Sequence, residues 1–261
     1  MNIPRKATLL TACLPAFFLL SAQTAMAQDA EIRILCSNGF HAAMEKLTPE
    51  YERSMGRSIK LQFGASAKLK QSIEAGEAFD LAILTPAIIE DLIKQGKIAH
   101  GSSVDLASSG IGMAVRAGAP KPDVSTAVAI KQTLLQAKSV GYVQSGASSP
   151  ALVDMFNRLG IGGDVQRKTV FQTGAQESMA NVANGTIEVA FGLSSEILPA
   201  PGVQLAGPVP PEFQKRILMT AGISSSTKNR AAADKIVTSL TSASAVAAIK
   251  ASGLDPIEKE K

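Results

Sequence analysis

The feature that most constrains how this chain can fold is a repeated change of period. Short apolar runs alternate with amphipathic stretches, and glycine or serine stands at nearly every switch. Ile32 to Cys36 is an apolar run that ends in the turn Ser37-Asn38-Gly39. Ala42, Ala43, Met44 and Leu47 open a helical stretch that stops at Gly56, the usual place of a left-handed cap. Ile59, Leu61 and Phe63 alternate with Lys60 and Gln62, the two-residue period of a half-buried strand. Gly64-Ala65-Ser66 turns the chain into a helix over Ala67 to Ala75, stopped by Gly76. Phe79 to Leu84 is a continuous apolar strand, and Thr85 and Pro86 then stand as cap and first residue of a helix carrying Ile88, Ile89, Leu92 and Ile93. Strands and helices alternating in this way predict an α/β fold with parallel strands.

The middle of the chain changes character. Ser108 to Val115 is apolar and glycine-rich, and Ala117 to Pro122 breaks the pattern. A helix is expected over Ala127 to Ala137 and a strand over Val140 to Val143. The turn from Gln144 to Pro150 leads into a helix over Ala151 to Leu159. The motif then repeats with a strand at Thr169 to Phe171, a turn at Thr173-Gly174, a helix from Gln176 to Ala183 and a strand from Ile187 to Phe191. Pro199 to Pro211 reads as a connector, Ile217 to Ile223 as a strand. A closing helix with Ala232, Ile236, Val237 and Leu240, then Val246 to Ile249, precedes a charged tail at Glu258 to Lys261.

Three strand-to-helix junctions carry glycine and serine together: Ser37-Asn38-Gly39, Gly64-Ala65-Ser66 and Gly146-Ala147-Ser148. Each sets hydroxyls and free backbone N–H groups at a helix N-terminus, where the helix dipole favours negative charge. In open α/β sheets such junctions lie outside the carboxyl ends of the strands, where ligands bind. The plainer reading of any one of them is a helix cap or a turn former.

Residues 1–27 read as an export signal. Arg5 and Lys6 form a positive start, Ala7 to Ala22 an apolar core, and Ala25-Met26-Ala27 a cleavage site, so cleavage is expected after Ala27. The core, 16 residues with Pro15 inside it, is short of the roughly 20 that a membrane-spanning helix needs. Removing 27 of 261 residues leaves 234, enough for a sizeable core in one large domain or two lobes. Arg5 and Lys6 leave with the signal, which takes the formal net charge from +4 to +2. No run of like charge marks a nucleic-acid surface. Cys13 is lost with the signal and Cys36 is left alone, so no intrachain disulfide forms, and Cys36 reads as a buried, inert thiol.

Catalytic signals are thin. Ser225-Ser226-Thr227-Lys228 has the S-x-x-K spacing of penicillin-binding proteins and β-lactamases, but no S-D-N or K-T-G element accompanies it. The sequence has no G-x-S-x-G or H-E-x-x-H. With only His41 and His100 present, no zinc site of ordinary composition is expected. His41 reads as a helix-start or surface histidine. The residues therefore favour a binding module over an enzyme.

Phe63-Gly64-Ala65-Ser66, Leu69, Gln71 to Gly76 and Phe79-Asp80 resemble the periplasmic molybdate-binding proteins of ABC importers. The resemblance runs over nearly the whole mature chain and is strongest from Ile32 to Lys97. It implies a two-lobed, type II clam-shell of two mixed, mostly parallel sheets. Lobe 1 would hold residues 28–109 and 217–261, and lobe 2 residues 110–216, joined by crossing strands near Ser108 to Val115 and Leu218 to Ile223. The family grips a tetrahedral oxyanion with neutral donors and no basic side chain, metal or cofactor. Matched onto this chain, those donors are Ser37 with its neighbour Asn38, Ser66, Ser148 and the backbone N–H of Ala175. Where the molybdate binders often place a tyrosine, this chain has Phe191. The resemblance further implies a monomer in the periplasm that hands a small anion to an inner-membrane permease, with a role as a sensor subunit as the alternative.

Overall fold

The apolar runs form two separate sheets, and the chain passes between them twice. The computed structural model describes residues 31–257 together with Met1; the segment read as an export signal and the charged tail at 258–261 lie outside the described residues. In chain order the strands are β1 (Ile32–Ser37), β2 (Ile59–Gly64), β3 (Leu81–Leu84), β4 (Val104–Ser109), β5 (Ile111–Arg116), β6 (Val140–Val143), β7 (Thr169–Gln172), β8 (Val189–Leu193), β9 (Val203–Pro208), β10 (Ile217–Ile223) and β11 (Asp255–Pro256). The helices are α1 (His41–Met55), α2 (Ser66–Glu74), α3 (Pro86–Lys94), α4 (Ala127–Gln136), α5 (Ser149–Arg158), α6 (Gly162–Arg167), α7 (Ala175–Ala183), α8 (Ser194–Ile197), α9 (Arg230–Leu240) and α10 (Ala243–Lys250).

One sheet has six strands in the order β11-β4-β10-β3-β1-β2, the other five in the order β7-β6-β8-β5-β9. The parallel pairings are β1 with β2 and β3, and β6 with β7 and β8. Each is joined through helices, as parallel neighbours must be. The antiparallel pairings all involve β5 or β10, the strands on either side of the passage between sheets, together with the short β11 on β4. Both sheets are thus mixed, with five antiparallel pairings beside four parallel ones among the described residues.

Strand β1 is covered on both faces, which explains why it reads as a continuous apolar run and not as an alternation. Ile34 and Cys36 belong to a core that continues through Phe191, Leu193 and Met219 into the second sheet. Leu35, on the opposite face, packs with Leu69, Ile73, Leu84 and Ile89 beneath α2 and α3. Each such buried side chain contributes roughly 1.5–3 kcal/mol.

The outward passage is made at Gly110, between β4 and β5, and the return through residues 209–216. Gln214 ties the two together: its Oε1 accepts the Ile111 N–H at 2.7 Å, and its Nε2 donates to the Ile111 carbonyl at 2.9 Å.

Several boundaries differ from those read in the sequence. Helix α5 begins at Ser149, two residues before Ala151, because Pro150 fits the first helical turn. The strand expected over Ile187 to Phe191 forms at Val189–Leu193. Ile187 still belongs to the turn after α7, its N–H donating to the Asn181 carbonyl at 3.0 Å. The connector from Pro199 to Pro211 contains β9, an edge strand whose proline falls at its last residue, where no ladder donor is needed. Thr85 occupies the cap position of α3 but makes no side-chain capping bond.

Candidate functional site

Parallel pairing brings the junctions together two by two. Ser37 is opposite Gly64 in the β1–β2 register, so the first and second junctions lie side by side. In the other sheet Val143 is opposite Gln172, which sets the turn before α5 beside the start of α7. Both pairs, with the end of β8, line one cavity of about 30 Å³, with room on the order of two water molecules. All six residues singled out in the sequence are there: Ser37, Asn38, Ser66, Ser148, Ala175 and Phe191. The cavity draws on both sheets.

Local chemistry explains each position. Ser37 ends β1, and Asn38–Phe40 makes a single 3-10 turn into α1. Gly39 is needed there for close approach: an added Cβ would lie 2.4 Å from Met219 Cε and 2.7 Å from Leu193 Cδ1. Its carbonyl accepts the Ser195 hydroxyl at 2.8 Å, a buried bond from α8 to the α1 junction. Ser66 is the first residue of α2, with Ala65 extended as its cap. Its hydroxyl is buried and has no hydrogen-bond partner. Ser148 precedes α5 without making a capping bond, and Ala175 opens α7 after an extended Gly174. The first-turn N–H groups of α2 and α7 have no intrahelical partner, so they add donors to the hydroxyls, whereas in α5 the Ser149 N–H donates to the Gly146 carbonyl at 3.0 Å and Pro150 has no N–H. Phe191 is 1% exposed and packs at 5.8 Å, centroid to centroid, on Phe156. It lines the cavity without the hydroxyl that a tyrosine would bring.

No lysine, arginine or histidine lines the cavity. Its one ionisable group, Glu196 on α8, was missed in the sequence. The only signal was an acidic residue three positions beyond a strand end. Its carboxylate accepts the Leu193 N–H at 3.0 Å. Burial pushes the Glu196 carboxyl up to about 7, and the Leu193 N–H pulls it down by less. Near neutral pH it is therefore partly protonated and can donate a hydrogen bond.

Asn38, Ala175 and Glu196 also form a wall of a second, larger cleft of about 400 Å³. His41 stands at this cleft, its ring tilted by 44° against that of Phe63 with centroids 3.8 Å apart, with Nε2 3.0 Å from Glu45 and Nδ1 3.4 Å from Gln176 on α7. It is a helix-start residue, as expected, but one that touches the opposite half of the molecule.

The remaining candidates fall elsewhere. Ser225 donates to the Gly96 carbonyl at 2.5 Å, and neither it nor Lys228 lines the cavity, so the S-x-x-K spacing builds no site there. Cys36 is fully buried, and burial pushes its thiol well above the usual range, which leaves it unreactive. Among the described residues there is no cluster of three or more metal-ligating side chains, and no helix is long and apolar enough to cross a membrane.

Two mixed sheets flanked by helices, joined by two passages and both lining a small cavity free of basic side chains, define a binding-protein architecture. The chain belongs to the bacterial extracellular solute-binding protein family, whose model matches residues 32–255. It is 32% identical over 255 residues, 95% of this chain and 96% of the relative, to a protein named aconitate isomerase from a Pseudomonas species. It is 25% identical over 235 residues, 87% of this chain and 90% of the relative, to the molybdate-binding protein of Azotobacter vinelandii. The solved periplasmic molybdate-binding protein of that organism superposes with a TM-score of 0.73 at 19% identity, covering 88% of this chain and all of the other, and so shares its fold.

Proposed function

We propose that this protein, exported to the periplasm and cleaved after Ala27, captures a small anion in the cavity between two lobes and delivers it to an inner-membrane ABC permease. The lobes are residues 28–109 with 217–261, and 110–216. The observation that carries the reading is the buried, unpartnered hydroxyl of Ser66 in a cavity whose other donors are also neutral. A buried polar group without a partner costs about 1–3 kcal/mol, and an anion supplies the missing acceptor. The occupant is headed by one oxyanion group: molybdate or tungstate, or the carboxylate of a small organic acid. The missing hydroxyl at Phe191 removes one donor that the molybdate binders often use, and a protonated Glu196 replaces it from the neighbouring wall. Capture alone needs no chemistry from the protein.

The test is isothermal titration of the mature chain with molybdate, tungstate, sulfate and small carboxylates, with thermal shift as a screen, since a ligand that binds only the folded state raises its apparent stability. An absence of heat or shift with every anion ends the proposal.

A second reading rests on Glu196. An isomerase acting on a carboxylic acid needs a group that takes and returns a proton near neutral pH, and Glu196 titrates there while lining both cavities. The relative named aconitate isomerase favours the same reading. Incubation with cis- and trans-aconitate in deuterated water, followed by NMR, tests it. Conversion with deuterium uptake that disappears in Glu196→Gln supports it, and no conversion removes it.

A further inference from the structure

The two cavities share a wall, and that wall carries information about the occupant. The inner cavity is about 30 Å³ and the outer cleft about 400 Å³. The smaller volume suits one oxyanion or carboxylate group; the larger falls within the range of roughly 300–1,000 Å³ usual for organic-ligand pockets. We propose that the two form one site of two compartments, in which the inner donors hold the carboxylate of a small organic acid and the outer cleft holds its carbon body. This rests on the anion-capture reading and narrows its ligand class away from molybdate and tungstate.

The lining of the outer cleft supports this division. Ala42 from α1, Ala180 and Met179 from α7, and Pro199 and Ala200 beyond α8 give it apolar surface. A bare tetrahedral oxyanion in the inner cavity makes no use of that surface. Removing apolar area from water contributes about 25 cal/mol per Å², so an attached carbon body gains affinity that acetate or formate lacks. No lysine or arginine lines either compartment, whereas Glu196 lines both and Glu45 lines the outer cleft. The cleft therefore favours a body that is uncharged, or whose second polar group hydrogen-bonds with the His41 ring. Asn38 and Ala175, which border both compartments, lie where head and body join.

Titration calorimetry on the mature chain tests this with molybdate, sulfate, formate, acetate, butyrate, succinate and citrate. The expected result is that one of the three larger acids binds at least tenfold tighter than acetate and molybdate. Ala180→Phe, an exposed position where a larger side chain does not disturb the core, is expected to remove that gain while acetate binding stays within twofold. Ala42→Leu, from the opposite wall, serves as a second obstruction. Ser66→Ala is expected to weaken every anion. If molybdate or sulfate binds and no larger acid exceeds acetate, the two-compartment site is wrong while anion capture stands. If the gain survives both obstructing variants, the body lies elsewhere and the inference fails. If nothing binds, both readings fall together.

Discussion

Replacing Ser66 by alanine separates a ligand-binding hydroxyl from a structural one, because the two roles predict opposite signs. The Ser66 side chain is 5% exposed and its oxygen has no partner. Its place as the first residue of α2, after Ala65, means that it does not cap the helix. In the empty protein the hydroxyl is thus unmet by protein groups, and alanine removes that cost. Recovering about 1 kcal/mol of the roughly 1–3 kcal/mol penalty raises the melting temperature by about 2–4 °C for a chain of this size. A water held in the cavity reduces the gain toward zero but does not reverse it. With anion bound, the same hydroxyl donates to a charged acceptor, worth about 1.5–3 kcal/mol, so affinity falls roughly ten- to hundredfold. At a ligand concentration of 100 times the wild-type Kd, the wild type gains about 2.7 kcal/mol from binding, and a tenfold weaker variant about 1.4 kcal/mol. Calorimetry and paired melting curves with and without ligand measure both effects. Unchanged affinity, or an empty variant that melts clearly lower, refutes the reasoning.

Three further outcomes are expected. Glu196 holds its proton in the folded state up to about pH 7 against an ordinary value of 4.5. The unfolded chain therefore releases that proton first, and stability falls by about 3 kcal/mol as pH rises through this window, then levels. Chemical denaturation of Glu196→Gln across pH 4–8 is expected to show that slope removed; an identical slope rules Glu196 out as its source. Gly39→Ala presses a methyl group against the buried ends of Met219 and Leu193, and overpacking of this kind costs about 1–3 kcal/mol; a denaturation midpoint equal to wild type contradicts the close approach. Cys36, buried and held as a thiol, is expected to resist a thiol reagent in the native protein and react once it is unfolded, so rapid native labelling contradicts its burial.

Much of the fold was legible in the chain because its signals are local. The apolar run of β1, the alternation in β2, Gly56 at φ 64° after α1 and Gly76 at φ 98° after α2 follow from side-chain period and backbone sterics alone. The cavity residues Ser37, Ser66 and Ser148 were legible for the same reason, since a Gly/Ser junction announces a helix start wherever it stands. The edge strand β9 was hidden because a proline-rich stretch looks like a loop until a neighbour pairs with it.

What the sequence determined by itself was an α/β chain with several helix starts that carry glycine and serine. Tertiary structure alone decided that those starts meet, because strand register places Ser37 beside Gly64 and Val143 beside Gln172, and register depends on partners far away in the chain. It alone decided the state of Glu196 as well. A glutamate in a sequence is an ordinary acid; only burial after the end of β8, at the wall between two cavities, makes its charge costly enough to hold a proton near neutral pH.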